Sequence, residues 1–143
     1  MMRPVYETAS DRDREKSVIT YACSVWNCEA MRMPRMYPVD WSLQRNGSIK
    51  AFAEVKWRYK SYSTYIISAH KWHTAISLAK TLDVVALLLV CWPDKSGNRH
   101  VIWTQMKPEN MKRVIHAGRT DRGDSQDLEP CVEIDVANFS LLE

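Results

Sequence analysis

The stretch "YPVDWSLQRNGSIKAFAEVKWR", residues 37–58, decides how this chain is read. In its second half the odd positions Ile49, Ala51, Ala53, Val55 and Trp57 are apolar, while the even ones hold Ser48, Lys50, Phe52, Glu54, Lys56 and Arg58. The first half repeats the pattern, with Tyr37, Val39, Trp41 and Leu43 against Pro38, Asp40, Ser42 and Gln44. Period two marks strands with one buried face, and Asn46-Gly47 between them marks a hairpin. A bare two-residue turn would pair odd with even positions and turn one apolar set outward. The expected connection is therefore a three-residue loop, Arg45-Asn46-Gly47, with a bulge that pairs Gln44 with Ser48. Asp40 then opposes Phe52, Glu54 opposes Pro38, and Asp40, Glu54 and Lys56 share the polar face. The two carboxylates stand in the diagonal relation, with Cα atoms about 7–8 Å apart. At that separation they can share one divalent cation through oxygen ligands at about 2–2.5 Å.

An acid on one strand and an acid-x-Lys on the next suit metal-dependent phosphodiester hydrolysis. Carboxylates hold Mg²⁺ or Mn²⁺, a Lewis acid that lowers the pKa of a bound water. A lysine two residues on lies on the same face of the strand. There it can orient the water or stabilise charge at the phosphorus. Glu54-Val55-Lys56 is the only acid-x-Lys triplet in the chain that sits in such a setting, on a strand, beside a register-matched aspartate and before an amphipathic helix. The bland alternative is a solvated surface pair contributing well under about 1 kcal/mol.

Outward from the hairpin, residues 10–31 read as a helix, capped by Ser10 or Thr8 and with Asp11, Asp13 and Glu15 in its first turns. Its apolar side runs Val18, Ile19, Ala22, Val25 and Trp26, with Glu15 one turn before Ile19. Met33-Pro34 ends it. After the hairpin comes a loop, "SYSTYIIS", and then a second helix, "AHKWHTAISLAKTLD", capped by Ser68. "VVALLLVCW" reads as a strand buried on both faces, and "RHVIWTQ" as an outer strand. Residues 107–117 are expected as a short helix, 119–130 as a polar loop, and "CVEIDVANF" as a peripheral strand. The order is helix, strand, strand, helix, strand, strand, an α/β sandwich.

With "YPVD" (Asp40) and then "AEVK", whose Glu54 lies fourteen positions after Asp40 and precedes Lys56 by two, the chain resembles the PD-(D/E)XK nuclease superfamily. The resemblance covers roughly residues 10–104 and departs at one point, because Val39 separates Pro38 from Asp40. It implies a restriction-endonuclease-like α-β-β-β-α-β sandwich with a central mixed sheet flanked by helices. It also implies that Asp40, Glu54 and the Val55 carbonyl are ligands to Mg²⁺ or Mn²⁺ and that Lys56 is the catalytic lysine. Glu15 is the best match to a glutamate the family adds from its first helix. Lys71 is the match to a polar helper on the second helix, ahead of His73 and His70.

At 143 residues the chain is expected to be one domain, residues 1–143, with its core at about 10–104 and an extension over 105–143. No apolar run approaches the ~18 residues of a membrane span. The polar amino terminus carries no signal pattern, so a cytoplasmic setting is expected, and the resemblance implies a bacterial or phage-infected host. Cys23, Cys28, Cys91 and Cys131 lack CxxC spacing and read as buried thiols rather than a zinc site.

The net charge of +3 is unevenly spread. From Arg45 to Leu82 seven Lys/Arg face Glu54 alone, whereas from Asp121 to Glu143 seven acids face Arg122 alone. A basic middle around a lone acidic site fits a polyanion. Arg45, Lys50, Arg58, Lys60, Lys71, His73 and Tyr62 are the expected nucleic-acid contacts. Tyr59 and Tyr65 are possible stacking partners beside them. Trp26, Trp41, Trp57 and Trp72 fall on apolar faces and read as core. The reading is an endonuclease cutting DNA, structure-directed or non-specific. Its residues do not separate DNA from RNA, and a homodimer would supply one site per strand. The alternative is a non-catalytic nucleic-acid-binding or interaction module that keeps the fold.

Overall fold

The computed structural model describes residues 9–117 and 129–143. Helix α1 (Ala9–Trp26) is followed by β1 (Glu29–Arg32), β2 (Trp41–Arg45), β3 (Ser48–Trp57) and β4 (Thr64–Ser68). Then come α2 (Ala69–Thr81), β5 (Val85–Pro93), β6 (Arg99–Gln105), β7 (Arg113–Ala117), β8 (Glu129–Asp135) and β9 (Ser140–Leu141). Six strands form one mixed sheet in the order β1-β2-β3-β5-β6-β9, and β4-β8-β7 form a second, antiparallel sheet. β3 and β5 pair in parallel. A parallel pair needs a crossover, and β4 with α2 supplies it. Among the described residues no helix is long and apolar enough to cross a membrane.

Period two does predict β3, but both of its faces are covered. Ala51, Ala53 and Val55 pack with Trp41, Leu43, Leu87 and Leu89 against Val18, Ile19 and Ala22 of α1. Phe52, on the opposite face, packs with Leu88 and Val90 against Trp72, Ala75 and Ala79 of α2. The face expected to meet water lies under α2 and the second sheet.

The hairpin register also differs from expectation. Arg45 pairs with Ser48 across a two-residue turn in which Asn46 and Gly47 take φ of 54° and 78°. Two successive positive φ angles define the turn type that Asn-Gly favours. Leu43 then pairs with Ala51 and Gln44 with Ile49, so Lys50 is the extra residue of a bulge in β3. That insertion restores odd-with-odd pairing beyond the turn, Trp41 opposite Ala53, and keeps the apolar set on the α1 side. β2 starts only at Trp41, and Asp40 belongs to the bend before it. The bend is tied to β1 by the Met33 N–H, which donates to the Asp40 carbonyl at 2.8 Å.

Elsewhere the chain departs from expectation where pairing is long-range. α1 stops at Trp26, because Asn27 takes a left-handed φ of 53° and the chain returns as β1. Part of "SYSTYIIS" is strand β4, paired along its length with β8. Residues 107–117 hold one helical turn, Pro108–Asn110, and then strand β7. β8 is the middle strand of the second sheet, not a peripheral one. Its Val132 and Ile134 join the core shared with Phe52 and Trp72, so the extension after 105 contributes to the packing of the core. The caps expected at Thr8 or Ser10, the side chain of Asp11, and most of the 119–130 loop lie outside the described residues.

Candidate active site

Glu54 sits in the middle of β3, on the α2 side, and is fully buried. Hydrogen-bonded strands dictate that position, since Glu54 pairs in register with Leu88 at the centre of the sheet. Asp40, in the bend just before the Trp41–Ala53 pair, lies close enough to Glu54 to raise its pKa. Neither carboxylate oxygen of Glu54 makes a well-aligned hydrogen bond, and its close polar neighbours are the Lys71 ammonium and the Asp40 carboxyl. Its nearest counter-charge is the Lys71 ammonium from the first turn of α2, 3.5 Å from Oε2. That turn is anchored by Ser68, whose Oγ accepts from the Lys71 N–H at 3.4 Å. The cap expected at Ser68 is present.

The electrostatics follow from this crowding. Burial pushes the Glu54 carboxyl up to about 8; Lys71 and Lys56 pull it down in part, and Asp40 pushes it up further. Lys56, half-buried two residues on, is driven below the ordinary lysine range by burial and by the neighbouring Lys71, with Glu54 opposing in part. For Lys71, burial pulls the pKa down but the Glu54 and Asp40 carboxylates outweigh it, and the net direction is up. An ionised buried carboxylate costs several kcal/mol unless it is compensated, and here the compensation is incomplete. The residues present fit a hard divalent cation: two neighbouring carboxylates, one of them fully buried and loosely held. Among the described residues no cluster of three or more His, Cys, Asp or Glu adds a fuller protein cage.

Asp40 opens into a cleft of about 380 Å³ whose walls carry Arg12, Arg32, Arg35 and Lys71, with Tyr37 at its side. These three arginines were missed in the sequence, because the charge count began at Arg45 and they lie in other elements. Arg32 also makes an ion pair with Glu15 at 2.7 Å and lies 5.3 Å from the centre of the Trp41 ring. Glu15 therefore stands at the rim of the cleft, paired to β1, and its charge still raises the Lys71 pKa.

Other sequence candidates fall elsewhere. Arg45 donates to the carbonyls of Trp26 and Asn27 at 2.5 and 3.1 Å, closing the end of α1. It sits at the turn of the hairpin, about 20 Å along the strands from Glu54, and Lys50 sits at the bulge, about 13 Å from Glu54. His73 is exposed and, two residues after Lys71, is turned about 200° around α2; His70 is exposed as well. Arg58 is half-buried just past the end of β3, and Lys60 lies 5.4 Å over the Tyr62 ring. Trp41 and Trp72 are buried as expected, and Trp26 and Trp57 are half-buried against the α1 core.

A mixed sheet between two helices, with an acid at the head of one strand and Glu-x-Lys inside the next, defines the PD-(D/E)XK nuclease fold. The same fold is seen in Hjc, a Holliday junction resolvase from the archaeal hyperthermophile Archaeoglobus fulgidus. That structure aligns at a TM-score of 0.61 and 14% identity over 90% of this chain and 86% of the other. The chain belongs to the family described as "Phage putative PDDEXK endonuclease", whose sequence profile matches residues 1–142. No curated protein matches the sequence.

Proposed function

We infer that the protein is a metal-dependent endonuclease that hydrolyses DNA phosphodiester bonds, directed by DNA structure or without sequence preference. The observation that carries this is Glu54: a fully buried carboxylate beside Asp40 and between two lysines, held by a contact of only 3.5 Å to the Lys71 ammonium. A purely structural ion pair would gain little from so loose a hold on a buried charge.

Asp40, Glu54 and the Val55 carbonyl would hold Mg²⁺ or Mn²⁺, which when bound supplies Lewis acidity at the scissile phosphate. Lys56, on the same strand face, orients the attacking water and offers its ammonium to the developing charge on the phosphoryl oxygens. The water oxygen forms the new bond to phosphorus, the bond to one sugar oxygen breaks, and that oxygen takes up a proton. Lys71 favours the ionised form of Glu54, offsetting part of the effect of burial, and, with Arg12, Arg32 and Arg35, gives flanking phosphates their counter-charge. Glu15 holds Arg32 in place. These phosphate contacts carry no sequence information, which is why the cutting is read as structure-directed or non-specific.

One chain presents one such site, so a homodimer would be needed to cut two strands together. Light scattering coupled to size exclusion reads that directly. The phage description of its family supports work inside an infected bacterial cytoplasm.

Nicking of supercoiled plasmid in Mg²⁺, Mn²⁺ or EDTA, beside Glu54→Gln and Lys56→Ala, tests the function. Metal-requiring cleavage lost in both variants supports it. DNA held equally well in EDTA and left intact under every metal, on plasmid and on branched DNA alike, favours the non-catalytic module instead.

A further inference from the structure

A wide groove lies beyond the end of β3. It has a volume of about 790 Å³, and its walls include Trp57, Arg58, Tyr59, Tyr62 and Tyr65. No carboxylate lines it. Tyr65 is the fixed part. It is 3% exposed, stacks on Trp92 at 6.3 Å and 22°, and accepts a hydrogen bond at its hydroxyl from the Tyr62 N–H at 3.1 Å. That bond pins the 58–63 connection against the core. Tyr59 and Tyr62, in contrast, are 81% and 44% exposed. Tyr62 packs edge-on against Tyr65, their ring centres 6.1 Å apart, and carries the Lys60 ammonium over its ring.

Two exposed phenol rings on a braced loop, alternating with Arg58 and Lys60, form a stacking platform beside a cationic path. Such a surface fits single-stranded nucleic acid, whose bases have open faces and whose phosphates need counter-charge. A paired duplex offers no base face to a tyrosine, because each is covered by its neighbours. The groove also starts one residue past Lys56. Tyr59, five residues after Glu54, is at most about 17 Å from it along the strand, or about five nucleotides at the spacing of one B-form strand.

We propose that this groove holds an unpaired base of the substrate strand, so that the protein cuts DNA beside a junction between paired and unpaired segments. The proposal rests on the nuclease reading for the cut, and on the groove alone for the binding.

The test uses the full chain, a Tyr59→Ala/Tyr62→Ala double variant and the matching Phe pair. Fluorescence anisotropy in EDTA compares labelled oligo(dT) with a duplex of equal length, and a splayed-arm duplex in Mg²⁺ or Mn²⁺ is mapped for cleavage position. In the double alanine variant the preference for oligo(dT) over duplex should fall roughly 10- to 100-fold. The Phe pair should restore it, since the ring rather than the hydroxyl does the stacking. Wild-type cleavage should fall within a few nucleotides of the fork. Oligo(dT) binding that ignores both alanines overturns the proposal, as does fork cleavage at unchanged position and rate; either result leaves the nuclease reading standing. Ring-dependent oligo(dT) capture by a protein that cuts nothing supports the groove and overturns the nuclease reading instead.

Discussion

On the α1 side of β3 stand Ala51, Ala53 and Val55; on the α2 side stand Phe52, Glu54 and Lys56. Both sides are covered by a helix, and α2 shares its side with the second sheet. The α1 side behaves as ordinary core, in which no buried side chain carries a charge and packing sets its worth. The α2 side starts the same way at Phe52 and then admits a carboxylate and an ammonium where apolar groups would have been more stable. A chain that can seal one face of a strand with alanine and valine has the means to seal the other. That it does not do so marks this face as the candidate site.

The widest separation between the faces is expected from Glu54→Gln. It keeps the shape and removes the charge, and cleavage of plasmid in Mg²⁺ should fall at least about 10³-fold while the protein stays folded. A circular dichroism melt checks the fold alongside. Lys56→Ala comes next, with a loss of about 10²–10³-fold in turnover at saturating metal. An equal loss of DNA affinity would assign Lys56 to binding rather than to chemistry.

The α1 face should answer in the opposite currency. Leu89, in register with Val55, belongs to the apolar cluster under α1. Leu89→Ala should cost about 2–5 kcal/mol in urea denaturation, with the specific activity of the folded fraction kept. A turnover loss comparable to that of Lys56→Ala would erase the distinction between the faces.

A smaller effect is carried by pH. The Glu54 carboxyl is pushed to about 8 in the folded protein against an ordinary 4.5. The folded state thus holds this proton more tightly than the unfolded one. The stabilisation it brings is fully present below about pH 4.5 and is lost as pH rises through 8. In EDTA, stability should therefore decline between pH 5 and pH 8 by on the order of 2–4 kcal/mol. Glu54→Gln should flatten that decline, and an identical slope in the variant would move the titration to another group. The smallest effect is expected at the far end of the hairpin. Arg45→Ala leaves the Trp26 and Asn27 carbonyls at the end of α1 without their donor and should cost about 1 kcal/mol in the same denaturation series.

Much of the site was legible because it is local. Asp40, Glu54 and Lys56 sit within one hairpin, and the parity of apolar positions put the three together before any contact was known. The parity argument even demanded a bulge, and the structure has one, at Lys50 rather than in a longer turn. Asn46-Gly47 could close a two-residue turn, and one inserted residue further along restored the faces equally well. The pattern constrains the sum of turn and bulge but not where the extra residue goes.

The same limit separates what the sequence determined by itself from what the tertiary structure decided. Period two, the Asn-Gly turn, the Ser68 cap and the unbroken apolar run of β5 are short-range signals, and they dictated the hairpin, α2 and the central strand. Strands β4, β7 and β8 read as loop, helix and periphery, because none of them is stable until it pairs with the others, and that pairing joins residues 64–68 to 131–135. Once that second sheet forms over α2, the polar face of β3 is no longer a surface, and Glu54 becomes buried. Arg12, Arg32 and Arg35 reach the cleft from a helix, a strand and a loop that only the assembled fold brings alongside Asp40. A sequence specifies which side chain a strand presents on each face; what covers that face, and hence whether a charge there is solvated or poised for chemistry, is set by distant segments.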